Sequence, residues 1–293
     1  GSNNGGGYIA KINNSGVWQW VEGAAAMDSD QSQVEHMVID ENDNIYFAGF
    51  GDGNFGSFSN SGSAGFIGNI STSGNYQWIL PINGNGNARI SDIVVDEEWV
   101  YVSGNMDPSV TLGSTTLTSY NFRDTFISRV DKAGAFDWIE QIETADGGLI
   151  YGIDLVTNGD LHVAHSFDNG WIRFGGRNFT SNGTAEDIIL MSMSSDGEWK
   201  TASQHGGNSW DRVTNIFASG TNTITVQGYN NNEIIFGDLS LTSAGPYFYA
   251  TKSLEEDHDD DNDGILDLND LCSAGLNNWT SNSTTDWDGD GCH

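Results

Sequence analysis

The feature that most limits what this chain can become is a unit of about sixty residues that recurs along it. Four segments share the order apolar strand, Ser-Gly-type turn, strand containing Trp. They read YIAKINNSGVWQWVEG from Tyr8, FIGNISTSGNYQWILPI from Phe66, FISRVDKAGAFDWIEQI from Phe126 and IILMSMSSDGEWKTASQ from Ile188. Trp20, Trp78, Trp138 and Trp199 follow one another at intervals of 58, 60 and 61 residues. Between them lies a second pair of strands: HMVIDENDNIYFAGF, ISDIVVDEEWVYVSGN, YGIDLVTNGDLHVAHS and VTNIFASGTNTITVQG. Each pair is followed by an apolar-Gly step, at Phe55-Gly56, Leu112-Gly113, Phe174-Gly175 and Phe236-Gly237. A fifth copy of the opening strand, YFYATKSL from Tyr247, ends the pattern.

These runs are short, alternate apolar with polar residues and are separated by Asn, Asp, Gly and Ser turns, so they predict antiparallel strands. The 38 glycines against 3 prolines suit a turn-rich β protein. The fold class expected is all-β. Four strands per repeat, repeated radially, describe the four-stranded blades of a β-propeller over residues 1–254. The periodic Trp reads as packing between neighbouring blades, and the Gly after Phe or Leu as a bulge or a tight backbone approach. Counting this way gives about 17 strands, enough for four blades, five, or part of a larger ring. One strand is surplus to a closed ring of four, either Tyr8–Ile12 or the strand from Tyr247 to Leu254.

Residues 8–254 resemble bacterial and archaeal β-propeller repeats of the type D-x-x-GN-x-Y-x-x-G…FIAKID-x-SG…W. The resemblance implies that the Ile-Val-Val-Asp strand of each repeat is innermost and lines a central channel. It carries no catalytic motif.

After Lys252 the composition changes. Residues 255–293 hold 12 acids, no Lys or Arg, and both cysteines of the chain. Asp259, Asp261, Asp263, Gly264, Asp267 and Asp270 satisfy D-x-D-x-D-G-x-x-D-x-x-D. A hard cation such as Ca2+ takes six to eight oxygens, and alternate carboxylates on a curling loop converge on one centre. Gly264 permits the sharp turn, and Ile265 would offer its backbone carbonyl. A second loop starts at Asp286, Asp288 and Asp290 and reaches His293 before its remaining positions, which predicts that the native chain continues. Asp270 stands where an EF-hand has Glu, and Leu-Cys-Ser-Ala-Gly follows in place of a helix. The segment Asp259–Cys272, ending D-x-x-D-x-C, resembles a thrombospondin type 3 repeat, in which calcium and cysteines replace a hydrophobic core. The run NWTSNSTTDWDGDGC is similar to segments of large surface proteins of marine microbes.

Cys272 and Cys292 have no other cysteine to choose, so a 272–292 disulfide is the simple assignment, beside free thiols or pairing between chains. Such a bridge stabilises by roughly 3 kcal/mol in the chain-entropy model. It places the protein in an oxidising compartment, secreted or at the cell surface.

With 41 acids against 10 bases the net charge is -31, which disfavours nucleic acid and anionic membranes as partners. No apolar run approaches the roughly 20 residues of a membrane span. The chain does not begin with Met or a signal peptide, and reads as a piece of a longer protein.

The repeats offer little chemistry. Asp40, Asp96 and Asp154 would stand at channel ends, but they read as turn residues that recur with the repeat. His36, His162, His165 and His205 are scattered, and His162 and His165, three apart on a strand, face opposite sides. Asp-box, G-x-S-x-G, Walker and dinucleotide signatures are all missing from the sequence. The expectation is therefore a non-enzymatic, calcium-stabilised extracellular module that presents loops to a glycan or protein ligand. The alternatives are a structural spacer and, behind it, a propeller glycosidase or lyase. Trp171, Trp210 and Tyr229 are the aromatic candidates for contact. Asp28/Asp30 and Asp40/Asp43 are the candidates for calcium within the repeats.

Overall fold

The computed structural model describes residues 7–25, 33–51, 53–60, 65–84, 88–121, 123–156, 159–182, 185–207, 209–219, 223–237, 239–242 and 247–253. The chain divides into two compact units, Gly1–Lys252 and Ser253–His293. The calcium ligands expected from the sequence, Asp259 through Asp270 and Asp286 through Asp290, lie outside the described residues. So do Cys272, Cys292, Asp28 and Asp30.

Every regular element described is a β-strand, 25 in number. The chain opens with β1 (Tyr8–Ile12) and β2 (Trp18–Ala25). The first full repeat supplies β3 (Gln33–Ile39), β4 (Ile45–Phe50), β5 (Gly53–Phe55), β6 (Phe58–Asn60), β7 (Gly65–Ile70) and β8 (Tyr76–Gly84). The second supplies β9 (Arg89–Val95), β10 (Trp99–Met106), β11 (Ser109–Leu112), β12 (Thr115–Thr118), β13 (Asp124–Asp131) and β14 (Phe136–Thr144). The third supplies β15 (Gly148–Leu155), β16 (Leu161–Phe167), β17 (Trp171–Phe174), β18 (Arg177–Thr180), β19 (Asp187–Met193) and β20 (Trp199–His205). The last holds β21 (Asp211–Ser219), β22 (Thr223–Asn230), β23 (Glu233–Phe236), β24 (Leu239–Thr242) and β25 (Tyr247–Ser253).

A repeat thus contains six strands, where the sequence pattern predicted four. Four of them build one antiparallel sheet, as in β3-β4-β7-β8. The other two form a hairpin on the outer strand of the preceding repeat. The β5–β6 hairpin adds to β2, β11–β12 to β8 and β17–β18 to β14. The apolar residue of each apolar-Gly step ends the first strand of that hairpin, and the Gly opens its two-residue turn. Gly56, Gly113, Gly175 and Gly237 have φ between +50 and +60°, which a side chain would resist. In β3, β9, β15 and β21 one extra residue (Glu35, Ser91, Tyr151 or Thr214) bulges from the pairing. These four strands lie side by side in chain order, one per sheet.

The hydrophobic core sits between successive sheets. One cluster joins Tyr46, Ile67 and Ile82 to Ile90, Val102 and Phe126; the next joins Tyr101 and Ile127 to Ile153, Val163 and Met191. Periodic tryptophans hold the seams. Trp20 Nε1 donates to the Thr72 carbonyl, Trp78 Nε1 to that of Lys132 and Trp138 Nε1 to that of Ser195, each at 3.0 Å. Each indole lies beneath the next repeat's turn glycine (Gly74, Gly134 or Gly197), where a Cβ would come within 3.1 Å of the ring.

The fourth Trp is a correction to the sixty-residue spacing. Trp199 pairs with Met193 as Tyr76 pairs with Ile70 and Phe136 with Val130. The latch position of β20 is held by Thr201, opposite Ser192. Trp199 instead packs on the Phe174-Gly175 turn, with rings 4.6 Å apart.

Another exchange lies one layer in. Gly49, Gly104 and Gly228 make room for the rings of Phe66, Phe126 and Phe248, which a Cβ would approach within 2.8 Å. In the third repeat the equivalent pair is His165 and Ile189. A ring on one strand replaces a ring on the other, so the packed volume is kept.

Candidate functional site

The two ends of the sheets use their acids differently. At the end formed by the tight turns, Asp40 Oδ1 accepts the Asn42 and Asn44 amides at 2.9 Å. Asp96 Oδ1 accepts those of Glu98 and Trp99, and Asp131 Oδ1 those of Ala133 and Ala135. Burial alone would lift the Asp40 carboxyl. The Asn44 side chain and amide, the Asn42 amide and the Lys132 ammonium outweigh burial and hold it below the usual range. Asp40 and Asp96 are turn residues, as expected. Asp154 is not: it lies on β15, and its Oδ2 accepts the Ala218 amide of β21 at 2.7 Å.

At the opposite end, connections from the second to the fourth repeats enclose a polar pocket of about 160 Å³. Arg123, Asp146, Ser166, Asp168, Glu186 and Arg212 line it. Two of the chain's ten bases therefore meet at one site in a molecule of charge -31. Glu186 is buried and receives a fork from Arg212, whose Nε lies 2.8 and 2.9 Å from its two oxygens. The Arg212 guanidinium also stands 5.6 to 6.0 Å from the ring centres of Tyr151, Tyr229 and Trp210. Trp210 is half exposed, while the buried Tyr151 hydroxyl has no hydrogen-bond partner among the described residues.

Burial pushes the carboxyls of Asp168 and Glu186 above their usual range against the pull of Arg212. Behind them lie Asp187 and Asp211, both fully buried. Asp187 corresponds to Asp124 of the second repeat, whose two oxygens accept the Thr144 amide, the Tyr120 amide and the Gln141 side chain. In the third repeat the amide equivalent to that of Thr144, on Gly207, donates to Asp211 Oδ2 instead, at 2.7 Å. Among the described residues, Asp187 Oδ1 and Asp211 Oδ1 are left without hydrogen-bond partners. Burial, reinforced by Asp187 and Glu186, raises the Asp211 carboxyl to about 6. Asp211 faces Asn230, also buried without a side-chain partner, where the third sheet pairs Gly148 with Phe167.

Among the aromatic candidates, Trp210 and Tyr229 adjoin the pocket through Arg212. Trp171 packs edge-on against exposed Tyr120 at 4.9 Å and beneath Arg173 at 3.9 Å. The histidines remain dispersed. His36 Nδ1 is 3.8 Å from Asp92, His165 bonds Thr125 and His205 bonds Ser203. Among the described residues, no three His, Cys, Asp or Glu side chains are arranged to hold a metal ion. Asp43 occupies the left-handed region at φ +60° in the turn capped by Asp40.

Arg123, Asp146, Asp168, Glu186 and Arg212 escaped the reading of the sequence because the first four come from four different connections and Arg212 from the start of β21. The available signal was phase: Arg123 and Glu186 both immediately precede the third strand of their sheets. No protein-family model matches the chain, and a search of the curated proteins finds no match.

Proposed function

We propose that the sheet unit is a β-propeller whose pocketed end binds a glycan, and that it works outside the cell without catalysing a reaction. The observation that carries this reading is the pocket built by Arg123, Arg212, Glu186 and Asp168 beside the half-exposed Trp210. Charged forks and carboxyls suit hydroxyl and carboxylate groups, and an aromatic face suits the apolar side of a sugar ring. The volume of about 160 Å³ admits the tip of a ligand such as a terminal sugar rather than a folded partner. The propeller reading is supported by four sheets whose innermost strands neighbour one another in order, with cores between the sheets.

The acidic segment 255–293 would stiffen on calcium through Asp259, Asp261, Asp263, the Ile265 carbonyl, Asp267 and Asp270. Asp286, Asp288 and Asp290 would begin a second site, and a Cys272–Cys292 bridge would close the segment. This makes the segment a stalk that carries the propeller.

A glycan array, screened with and without calcium, tests the binding reading. Binding by the native chain that is lost in Trp210→Ala and Arg123→Gln supports it. Silence of the native chain across the array leaves the spacer role. Turnover of a polysaccharide that stops in Asp168→Asn would overturn the non-enzymatic reading. Addition of EDTA should lower the melting temperature of the acidic segment, and an unchanged melt would sink the calcium assignment.

A further inference from the structure

The edge of β22 carries β25, yet β1 fits that seat better. The third strand of each complete sheet has the same three apolar anchors. They are Phe66, Ile67 and Ile70 in β7, Phe126, Ile127 and Val130 in β13, and Ile189, Leu190 and Met193 in β19. All nine are buried. In β25, which faces β22 through Thr251 and Thr225, the equivalents are Phe248, Tyr249 and Lys252. Phe248 is buried against Gly228, but Tyr249 is 76% exposed, and the third register position falls on a Lys where the complete sheets have Ile, Val or Met. In β1 the same positions hold Tyr8, Ile9 and Ile12. Tyr8 is 72% exposed and Ile12 49% exposed, because β1 has no strand on its other edge.

A second mismatch points the same way. In each complete repeat the apolar-Gly turn of the hairpin receives the first aromatic of the outer strand: Gly56 receives Tyr76, Gly113 receives Phe136 and Gly175 receives Trp199. Among the described residues no atom lies within 4 Å of the Cβ position of Gly237. Around Phe236, Gly237, Ile224, Val226 and Phe248 there is instead an apolar cavity of about 470 Å³. The matching aromatic at the start of an outer strand is Trp18 of β2, and it is 67% exposed. The seat on Gly237 lacks the aromatic that the other three turns receive, and β2 offers one.

We infer that the β1–β2 hairpin of the same chain takes the β22 edge and displaces β25. The last sheet then has the order β21-β22-β1-β2. Tyr8 lies on Gly228, Ile9 and Ile12 are buried, and Trp18 fills the cavity against Phe236. This inference rests on the propeller reading, since a ring of sheets is what brings the first hairpin to the last sheet. Trp20 already fastens β2 to the first full sheet, and β5–β6 already extends it, so β2 sits where the outer strand of a closing sheet belongs. Displaced β25 becomes part of the connection to the acidic segment. The exposed β edge of β1 is thereby covered without a second molecule, while β22 exchanges one neighbour for another.

Two cysteine pairs in the full chain decide between the occupants, both made with Cys272→Ser and Cys292→Ser. Lys11→Cys with Thr225→Cys reports β1 on β22, at the position equivalent to the Tyr46–Asn69 pair. Thr225→Cys with Thr251→Cys reports β25 there. The expected result is a bond within one chain for the first pair and none for the second. A bond only in the second pair overturns the exchange, and so does a bond of the first pair that links two chains. Electron-microscope averages of the same preparations separate this failure from that of the propeller. A ring with the 225–251 bond leaves the propeller standing, while an open stack of sheets removes it.

Discussion

The turn end and the pocket end of these sheets are made from the same residue types and obey different rules. At the turn end a local turn position recurs from sheet to sheet, and where it holds an acid two amides of the same turn point at the carboxylate, as at Asp40, Asp96 and Asp131. At the pocket end an acid position recurs, at Asp124 and Asp187, but its partners do not. Asp187 has lost the amide that Asp124 keeps, and Asp211 and Asn230 replace small and apolar residues. Carboxyls spent on turns stabilise the fold. Carboxyls buried with bare oxygens cost stability, which is common where a protein holds groups ready for a ligand.

This contrast predicts mutations of opposite sign. The largest loss belongs to the seams: Trp138→Ala should cost about 4 kcal/mol in chemical denaturation, as removal of a large packed ring does. A loss below about 1 kcal/mol would show that the latch is decorative. Next comes the exchange of rings. His165→Gly alone should cost about 3 kcal/mol, and adding Ile189→Phe should restore most of it, because the pair then matches Gly104 and Phe126. Simple additivity of the two changes would refute the compensation.

His165 also sets a pH signature. Burial holds its imidazole down to about 3, so the folded protein keeps it neutral while the unfolded chain takes a proton. Its contribution is complete above the ordinary histidine range and is lost as pH falls from about 6.5 towards 3. The double variant should lose that acid sensitivity. Asp211 has the opposite sign, since its folded carboxyl is raised. The destabilisation it brings grows as pH climbs from its unperturbed value of 3.8 to about 6 and is constant above. Asp211→Asn should therefore gain about 2 kcal/mol at pH 8 and almost nothing at pH 4. Melts of the variant and the native protein across that range would show whether the gap opens. At the small end, Trp210→Ala should change stability by less than about 0.5 kcal/mol while removing glycan binding. A large stability loss would make Trp210 a structural residue and the pocket end no different from the turn end.

The sequence was legible where a local rule governs. The turn glycines Gly16, Gly74, Gly134 and Gly197 all have positive φ and fix the third and fourth strands of each sheet. Counting tryptophans was less safe than counting from those glycines. Trp18, Tyr76, Phe136 and Trp199 each stand two residues after the glycine, whereas Trp20, Trp78 and Trp138 stand four after it. Pairing of the inserted hairpin with the previous repeat was not legible, because nothing local in Phe55-Gly56 says which strand lies beside it. The pocket was hidden for the same reason: Arg123, Glu186 and Arg212 are brought together by topology alone.

That borrowed hairpin has a consequence for how such a chain can be cut or copied. The unit that folds is offset from the unit that repeats, since every sheet with a fifth and sixth strand takes them from the next stretch of sequence. One repeat expressed alone would carry a hairpin with no outer strand to join, beside an outer strand with no hairpin. Dissection into autonomous pieces should fail at every boundary drawn by sequence similarity. Duplication of the same segment within the chain would interlock at once, because each new copy arrives with the clasp for the one before it.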